Sequence, residues 1–339
     1  MKKLFSFLLV FFFGLVLIGC NGEEEKAPAK ITYVDPSTGE EVEMEIAATE
    51  DAAEIADIVS KLQPTTEMPE GIAVTGNITM TSSSDAKMDL NGTTMSFKVE
   101  ENLDANLEAK TNLVDKHYVD ASFSYVTKNN GAEVAEMSMS AEAIIYGDAE
   151  NLYVNATAMG DTAKVYMPID QLIEMIGSMI EGAGSEEVAP MAAEDTPSFD
   201  EMTPEQLIEF LNLSINSTTA NTIEFKLPLT VELIETISGE DIPFESTKSV
   251  DIYVTVQADT LLPTKLKIDA SEFIKDLLVS YQDVLAQQYG CTEYVVNSAK
   301  LTVEFEFTYG AISDIPTLTD AQKAEYSPAM DDEGSSEMM

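Results

Sequence analysis

Strict alternation of apolar and polar residues limits this chain more than any other feature. Leu301, Val303, Phe305, Phe307 and Tyr309 alternate with Thr302, Glu304 and Glu306. Val250, Ile252, Val254, Val256 and Ala258 repeat the pattern, and Leu103, Ala105, Leu107 and Ala109 alternate with Asn102, Asp104, Asn106 and Glu108. Two longer runs do the same: Ala135 to Ile145, with Met137 and Met139 on the apolar side, and Ile223 to Leu233, with Phe225 and Leu227. Successive side chains of a strand point to opposite faces, so period two with one polar face specifies antiparallel strands packed on a single side. With shorter stretches at 72–80, 95–99, 119–125, 152–158 and 163–167, the pattern predicts about ten strands and leaves no room for βαβ units.

Helical spacing appears in four places. Residues 50–62 carry Ile55, Ile58, Val59 and Leu62 and stop before Pro64, and residues 170–180 carry Leu172, Ile173, Ile176 and Ile180 behind Asp170 as a cap. Thr203-Pro204-Glu205-Gln206 is a capping box with proline at the first helical position. Ser271 is read as the cap of a fourth helix, with Phe273, Ile274, Leu277, Leu278, Tyr281 and Leu285 on one stripe. Residues 182–202, rich in Gly, Ala, Pro and acid, read as a surface loop.

Ten strands with one apolar face cannot leave that face wet at about 25 cal/mol per Å². Helices that follow groups of strands, rather than each strand, favour an open sheet over a closed barrel. The expected fold is mainly β (α+β): a large curved antiparallel sheet, a half-barrel, with helices packed on its concave face. Modest helices leave part of such a concavity unfilled, which predicts an apolar ligand cavity. Its expected walls are Met137, Met139, Phe225, Leu227, Phe305 and Phe307 from strands and Ile173, Ile176, Phe273 and Leu277 from helices, all ten buried.

Charge removes whole classes of function. Asp and Glu number 61 against 18 basic residues, every one of them Lys, for a net charge of -43. Nucleic-acid binding needs a basic face to neutralise phosphate, and none can be assembled. Without Arg, bidentate recognition of phosphate or carboxylate is unavailable. His117 is the one histidine and lacks a ligand-spaced partner, so it is read as solvent-facing and no metal is expected. No nucleophile elbow or P-loop occurs. The expectation is a protein that is not an enzyme and needs no cofactor.

The N-terminus supplies an address. Lys2 and Lys3 precede an apolar run from Leu4 to Ile18, short of the roughly 20 residues of a membrane-spanning helix and of signal-peptide length. The run ends in Leu17-Ile18-Gly19-Cys20, which resembles a bacterial lipobox, in which the cysteine thiol takes up diacylglycerol and the signal is cut before it. The reading is a signal peptide at 1–19, a lipid (palmitate-type) anchor on Cys20, a tether over 20–47, one domain over 48–316 and a disordered acidic tail over 317–339. Removal of residues 1–19 takes Lys2 and Lys3 and lowers the net charge from -43 to -45. Cys291 is then the one cysteine left unmodified, so no intramolecular disulfide forms. The expected location is the extracytoplasmic face of a bacterial membrane, with the membrane itself as partner through acylated Cys20.

The stretch from Val254 to Ile268, with Asp259, Pro263 and Lys265, resembles the strand, Asp-x-x-x-x-Pro-x-Lys, strand hairpin of LolA-like lipoproteins of the LppX/LprG type. The order of lipobox, tether, helix, long strands and that hairpin is similar to the same family. The resemblance implies a curved sheet enclosing a hydrophobic cavity closed by helices, and a lipid or acyl-chain ligand; it assigns no individual binding residue. Two functions remain open: a binding module with an apolar ligand in the cavity, and a structural or interaction lipoprotein with a filled core.

Overall fold

The computed structural model describes residues 29–34, 41–62, 69–90, 92–171, 202–238 and 242–329. Cys20, Ile173, Ile176 and the 182–201 stretch lie outside them. Two strands of 19 residues each, β3 (Ile72–Leu90) and β4 (Thr93–Thr111), longer than the alternating stretches at 72–80, 95–99 and 102–109, form the centre of one large open sheet. The others are β5 (His117–Asn129), the short β6 (Ala132–Glu133), β7 (Met139–Gly147), β8 (Asn151–Ala158), β9 (Asp161–Pro168), β10 (Ser214–Thr218), β11 (Thr222–Leu229), β12 (Val250–Gln257), β13 (Pro263–Asp269), β14 (Glu293–Tyr309) and β15 (Ser327–Pro328). Their lateral order is β10-β11-β12-β13-β14-β3-β4-β5-β7-β8-β9-β15, with β6 beside β5. The chain is mainly β, and the sheet is curved and does not close into a barrel.

Pairing register puts the apolar positions on one face. Val303, Phe305 and Phe307 of β14 oppose Ile78, Gly76 and Val74 of β3, which oppose Ala105, Leu107 and Ala109 of β4. The β14 sequence slips by one residue between Val296 and Ser298, a bulge that returns Tyr294 and Val296 to that same face. On this face α1 (Ala52–Lys61) and α2 (Pro204–Leu211) pack over β10–β12 through Ile55, Ile58, Leu62 and Ile208. At the far end of β14, α4 (Ser271–Ser280) and α5 (Gln282–Gln288) cover Ala86, Tyr294 and Val296 with Leu278 and Leu285. The helix starts are chemically legible: Asp51 accepts the N–H groups of Ala53 and Glu54, and the Thr203–Gln206 capping box forms in full.

Several boundaries need correction. Residues read as tether form a hairpin, β1 (Ala29–Val34) with β2 (Glu41–Ile46), whose Ile31 and Ile46 are each 1% exposed in the main core. The folded domain therefore begins by Ala29, because two isoleucines on one side of a short hairpin suffice to seat it. In the tail, Thr319 caps α6 (Asp320–Lys323) and β15 pairs with β9, in the sheet's one parallel pairing among the described residues. The run from Ala135 is not all strand: residues 135–137 make a 3₁₀ turn, fixed by Ser138 Oγ donating to the Val134 carbonyl, and β7 starts at Met139. β11 ends at Leu229, where Thr230 Oγ1 accepts the Leu233 N–H and opens α3 (Val231–Ser238). The fourth predicted helix has Ala270, not Ser271, at its N-cap, without a side-chain cap bond; Asp269 just before it accepts the Ser271 N–H at 3.0 Å, and the helix divides at Tyr281. His117 is half-buried, its Nδ1 2.8 Å from Thr111 Oγ1, rather than solvent-facing.

Candidate functional site

The two halves of the apolar face differ in the size of their side chains. On β10–β14 the inward residues are Ile215, Ile223, Phe225, Leu227, Ile252, Val254 and Leu266, and they pack with the helices as one continuous core. On β3–β9 two adjacent rows crossing the strands are built mostly from residues with one side-chain carbon or none. Register aligns Gly76, Leu107, Ala121, Ala143, Ala156 and Ala163 in one row, and Ile78, Ala105, Phe123, Ala141 and Ala158 in the next. Larger residues flank both: Val74, Val119, Ile145, Val154 and Val165 on one side, and Met80, Leu103, Tyr125 and Met139 on the other. Two low rows between two high ones make a trough, running across the strands from Phe305 to the β8–β9 turn, of about 450 Å³. That volume falls in the range of about 300–1,000 Å³ typical of ligand sites.

The trough is apolar in a specific sense. No lysine lines it among the described residues, and Asn106, Ser122, Glu142 and Thr157 border it from strand positions whose side chains belong to the opposite face. It therefore offers dispersion contacts and the exclusion of water, with no charge or proton to move. Among the described residues no three His, Cys, Asp or Glu side chains are grouped to hold a metal ion, and no helix is long and apolar enough to cross a membrane.

The chain matches no family model and no curated protein. The site therefore has to be read from its own geometry. Of the residues expected to line a cavity, Phe305 does so, closing one end of the trough. Phe225, Leu227 and Phe307 are buried in the filled half, where they are core. Phe273 packs edge-on against Phe244, with ring centroids 5.5 Å apart, and Leu277 is half-buried on the same helix. Met137 and Met139 are each 47% exposed and Phe305, Phe273 and Leu277 are half-buried, so of the eight described residues the expected burial holds for Phe225, Leu227 and Phe307 alone. Met137 falls in the 3₁₀ turn rather than on a strand, and Met139 begins β7 at the rim of the trough.

The residues that create the space are the alanines, while the room left by Gly76 is taken by the Phe305 ring. Large side chains suggest themselves as cavity walls, but a space is defined by where side chains are missing. The signal is present in the sequence as inward positions of β7, β8 and β9 occupied by Ala141, Ala143, Ala156, Ala158 and Ala163 where β11–β14 carry Ile, Leu, Val and Phe.

The opposite face is mostly polar, with Val126, Ile144 and a row of tyrosines among its charged and hydroxyl side chains. Tyr118 and Tyr146 are neighbours with ring centroids 5.6 Å apart, and Tyr153 and Tyr166 continue the row at 6.1 Å. Burial first, then Asp120 nearby, pushes the Tyr118 phenol up to about 12.

Proposed function

We propose that this protein is a lipoprotein anchored through Cys20 at the extracytoplasmic face of a bacterial membrane, and that its trough holds an acyl chain of a lipid. The observation that carries the binding half of this reading is the double row built mostly of Ala across β3–β9, which leaves an apolar space beside a filled core in the same sheet. Linear hydrocarbon suits a long, shallow groove without polar anchors. The anchoring half rests on the Leu17-Ile18-Gly19-Cys20 sequence and the resemblance to LolA-like lipoproteins. Neither half requires catalysis or a cofactor.

Magnitudes set what the trough can retain. Each methylene taken from water contributes about 0.8 kcal/mol, so roughly ten give a gross 8 kcal/mol. Immobilising a ligand costs about 4–15 kcal/mol, so short acids bind poorly and affinity climbs with chain length, near fourfold per methylene. The deciding experiment is native mass spectrometry of the purified full chain for co-purified lipid, followed by a fatty-acid series with a fluorescent probe. A chain with residues 172–201 replaced by a Gly-Ser linker runs in parallel. Binding that grows with chain length supports the reading; binding by the shortened chain alone would mean that the protein's own residues fill the trough. No binding by either would favour the structural reading, for which the filled β10–β14 half is the supporting observation.

A further inference from the structure

The C-terminal segment is docked on the polar face through two anchors three residues apart. From Asp320 to Ala329, Lys323, Tyr326 and Ala329 are the residues not exposed. Lys323 Nζ donates to Asp148 Oδ2 at 2.5 Å and lies 5.4 Å from the centroid of the Tyr153 ring. The Tyr326 ring meets Tyr153 edge-on at 5.4 Å, with Lys164 Nζ 5.8 Å above Tyr326 and bonded to Glu325 at 2.6 Å. Ser327 and Pro328 then pair with Val165 and Tyr166 on the edge of β9, and the Ala329 N–H donates to the Tyr166 carbonyl at 2.8 Å. The receiving surface is specific: a carboxylate for a cation, a ring for both anchors, a lysine for the intervening glutamate and an open strand edge for the backbone.

The segment reaches this surface through a separable connection. β14 ends at Tyr309, Gly310 adopts φ +122°, and residues 311–319 carry no helix or strand and are mostly exposed. Nine such residues span up to about 30 Å when extended. We propose that this surface also receives the C-terminal segment of a second copy of the chain, so that two copies pair by exchanging their segments. Exchange replaces every docking contact with an identical one between copies, so what differs is the connection, the entropy of association and the salt-screened repulsion between two acidic chains. The partner is specified by charge: within a chain of net charge -43, the oppositely charged pairs Lys323–Asp148 and Lys164–Glu325 hold the segment, and each copy supplies both halves.

Charge reversal tests this directly in the full chain. Asp148→Lys and Lys323→Asp each set like charges against each other, so each variant alone should be monomeric with its segment released. In a mixture, the docking surface of an Asp148→Lys copy can receive the segment of a Lys323→Asp copy, because the two reversed charges attract. At the second surface of that pair the unaltered Asp148 and Lys323 meet. Native mass spectrometry should show a one-to-one heterodimer at least tenfold in excess over either homodimer. The doubly substituted chain restores the pair and should behave as the unaltered chain does, in both the docked and the exchanged form. A mixture that stays monomeric up to roughly millimolar chain, the effective concentration of a short flexible linker, overturns the proposal. A second measurement does not depend on those variants. Chains carrying Val165→Cys or Ser327→Cys, mixed and air-oxidised, should yield a 165–327 cross-link between copies, located by digestion, and its absence would count equally against exchange.

Discussion

The ring of Phe305 occupies the place where a side chain of Gly76 would be: a Cβ built on Gly76 meets Phe305 Cδ1 at 2.2 Å and Cε1 at 2.3 Å. The two residues oppose each other across the β14–β3 pairing, at the border between the filled half of the sheet and the trough. Glycine in a strand interior otherwise weakens it, and here the missing side chain is what lets a neighbouring ring lie against the backbone. Gly76→Ala should therefore force Phe305 out of position and cost about 1–3 kcal/mol in urea unfolding. Adding Phe305→Leu to the same chain should recover most of the loss. Additive losses would show that the two positions are not coupled.

Filling the trough should separate binding from stability. Ala143→Phe inserts a ring into half-exposed space, so the expected change in stability is under about 1 kcal/mol while displacement of a bound fluorescent fatty acid is complete. Ala258→Phe, at a position 3% exposed in the filled half, should cost about 1–3 kcal/mol or more and leave binding by the folded fraction intact. Equal losses of stability at both sites would contradict the distinction between a packed half and an open one.

Alkaline pH should unfold the protein through its tyrosines. Burial holds the Tyr309 phenol up at about 12, against about 10 in an unfolded chain. A raised value means that the fold favours the neutral phenol. Its contribution is complete below pH 10 and is lost as the pH climbs from there through about 12. Tyr125, raised to about 12 by burial first and then by its hydrogen bond to Glu101, acts in the same direction. The Tyr309 hydroxyl is also buried without a hydrogen-bond partner among the described residues. Tyr309→Phe should thus raise stability at pH 7 by about 1–3 kcal/mol and make the alkaline transition shallower. A destabilised variant at pH 7 would show that the hydroxyl has a partner.

Lipidation is tested by one atom. Cys20→Ser removes the thiol and should abolish metabolic labelling with a radioactive or alkynyl fatty acid, moving the protein from the membrane fraction to the supernatant. Retention of the variant on membranes would sink the anchor.

The strands are legible because a period of two is a local property: β12 and the Leu301–Tyr309 half of β14 can be drawn from alternation alone, and the start of α2 from Thr203 to Gln206. Strand ends are harder, because there a single polar side chain competes with the pattern. Val231 and Leu233 satisfy period two, yet Thr230 supplies a cap, and the helix that follows needs only that one hydroxyl. Likewise Ala135 and Met137 alternate like a strand while Ser138 ties the chain into a turn. Alternation announces a trough but not its place, since its walls depend on which inward positions become neighbours across seven strands. Register, a long-range property, brings Ala121, Ala143 and Ala156 side by side. The hairpin of residues 29–46 alternates as well, Ile31 and Tyr33 with Lys30 and Thr32, and Val42, Met44 and Ile46 with three glutamates, but its runs of six residues lie in a short, acidic stretch whose composition reads as tether.

A single sheet whose apolar face is covered on one half and, among the described residues, open on the other has a gradient of local opening free energy along its width. Backbone amides of β11–β13, beneath two helices and a hairpin, can exchange with solvent only by near-global unfolding. Those of β7–β9, whose side chains are mostly half-exposed on both faces, can exchange through fluctuations that leave the rest of the fold in place. The rigid half then serves as a fixed wall and the compliant half as a hinge-free jaw. A long, flexible guest enters such a jaw by breathing of β7–β9, with the β15 pairing on β9 as the last tie to give way.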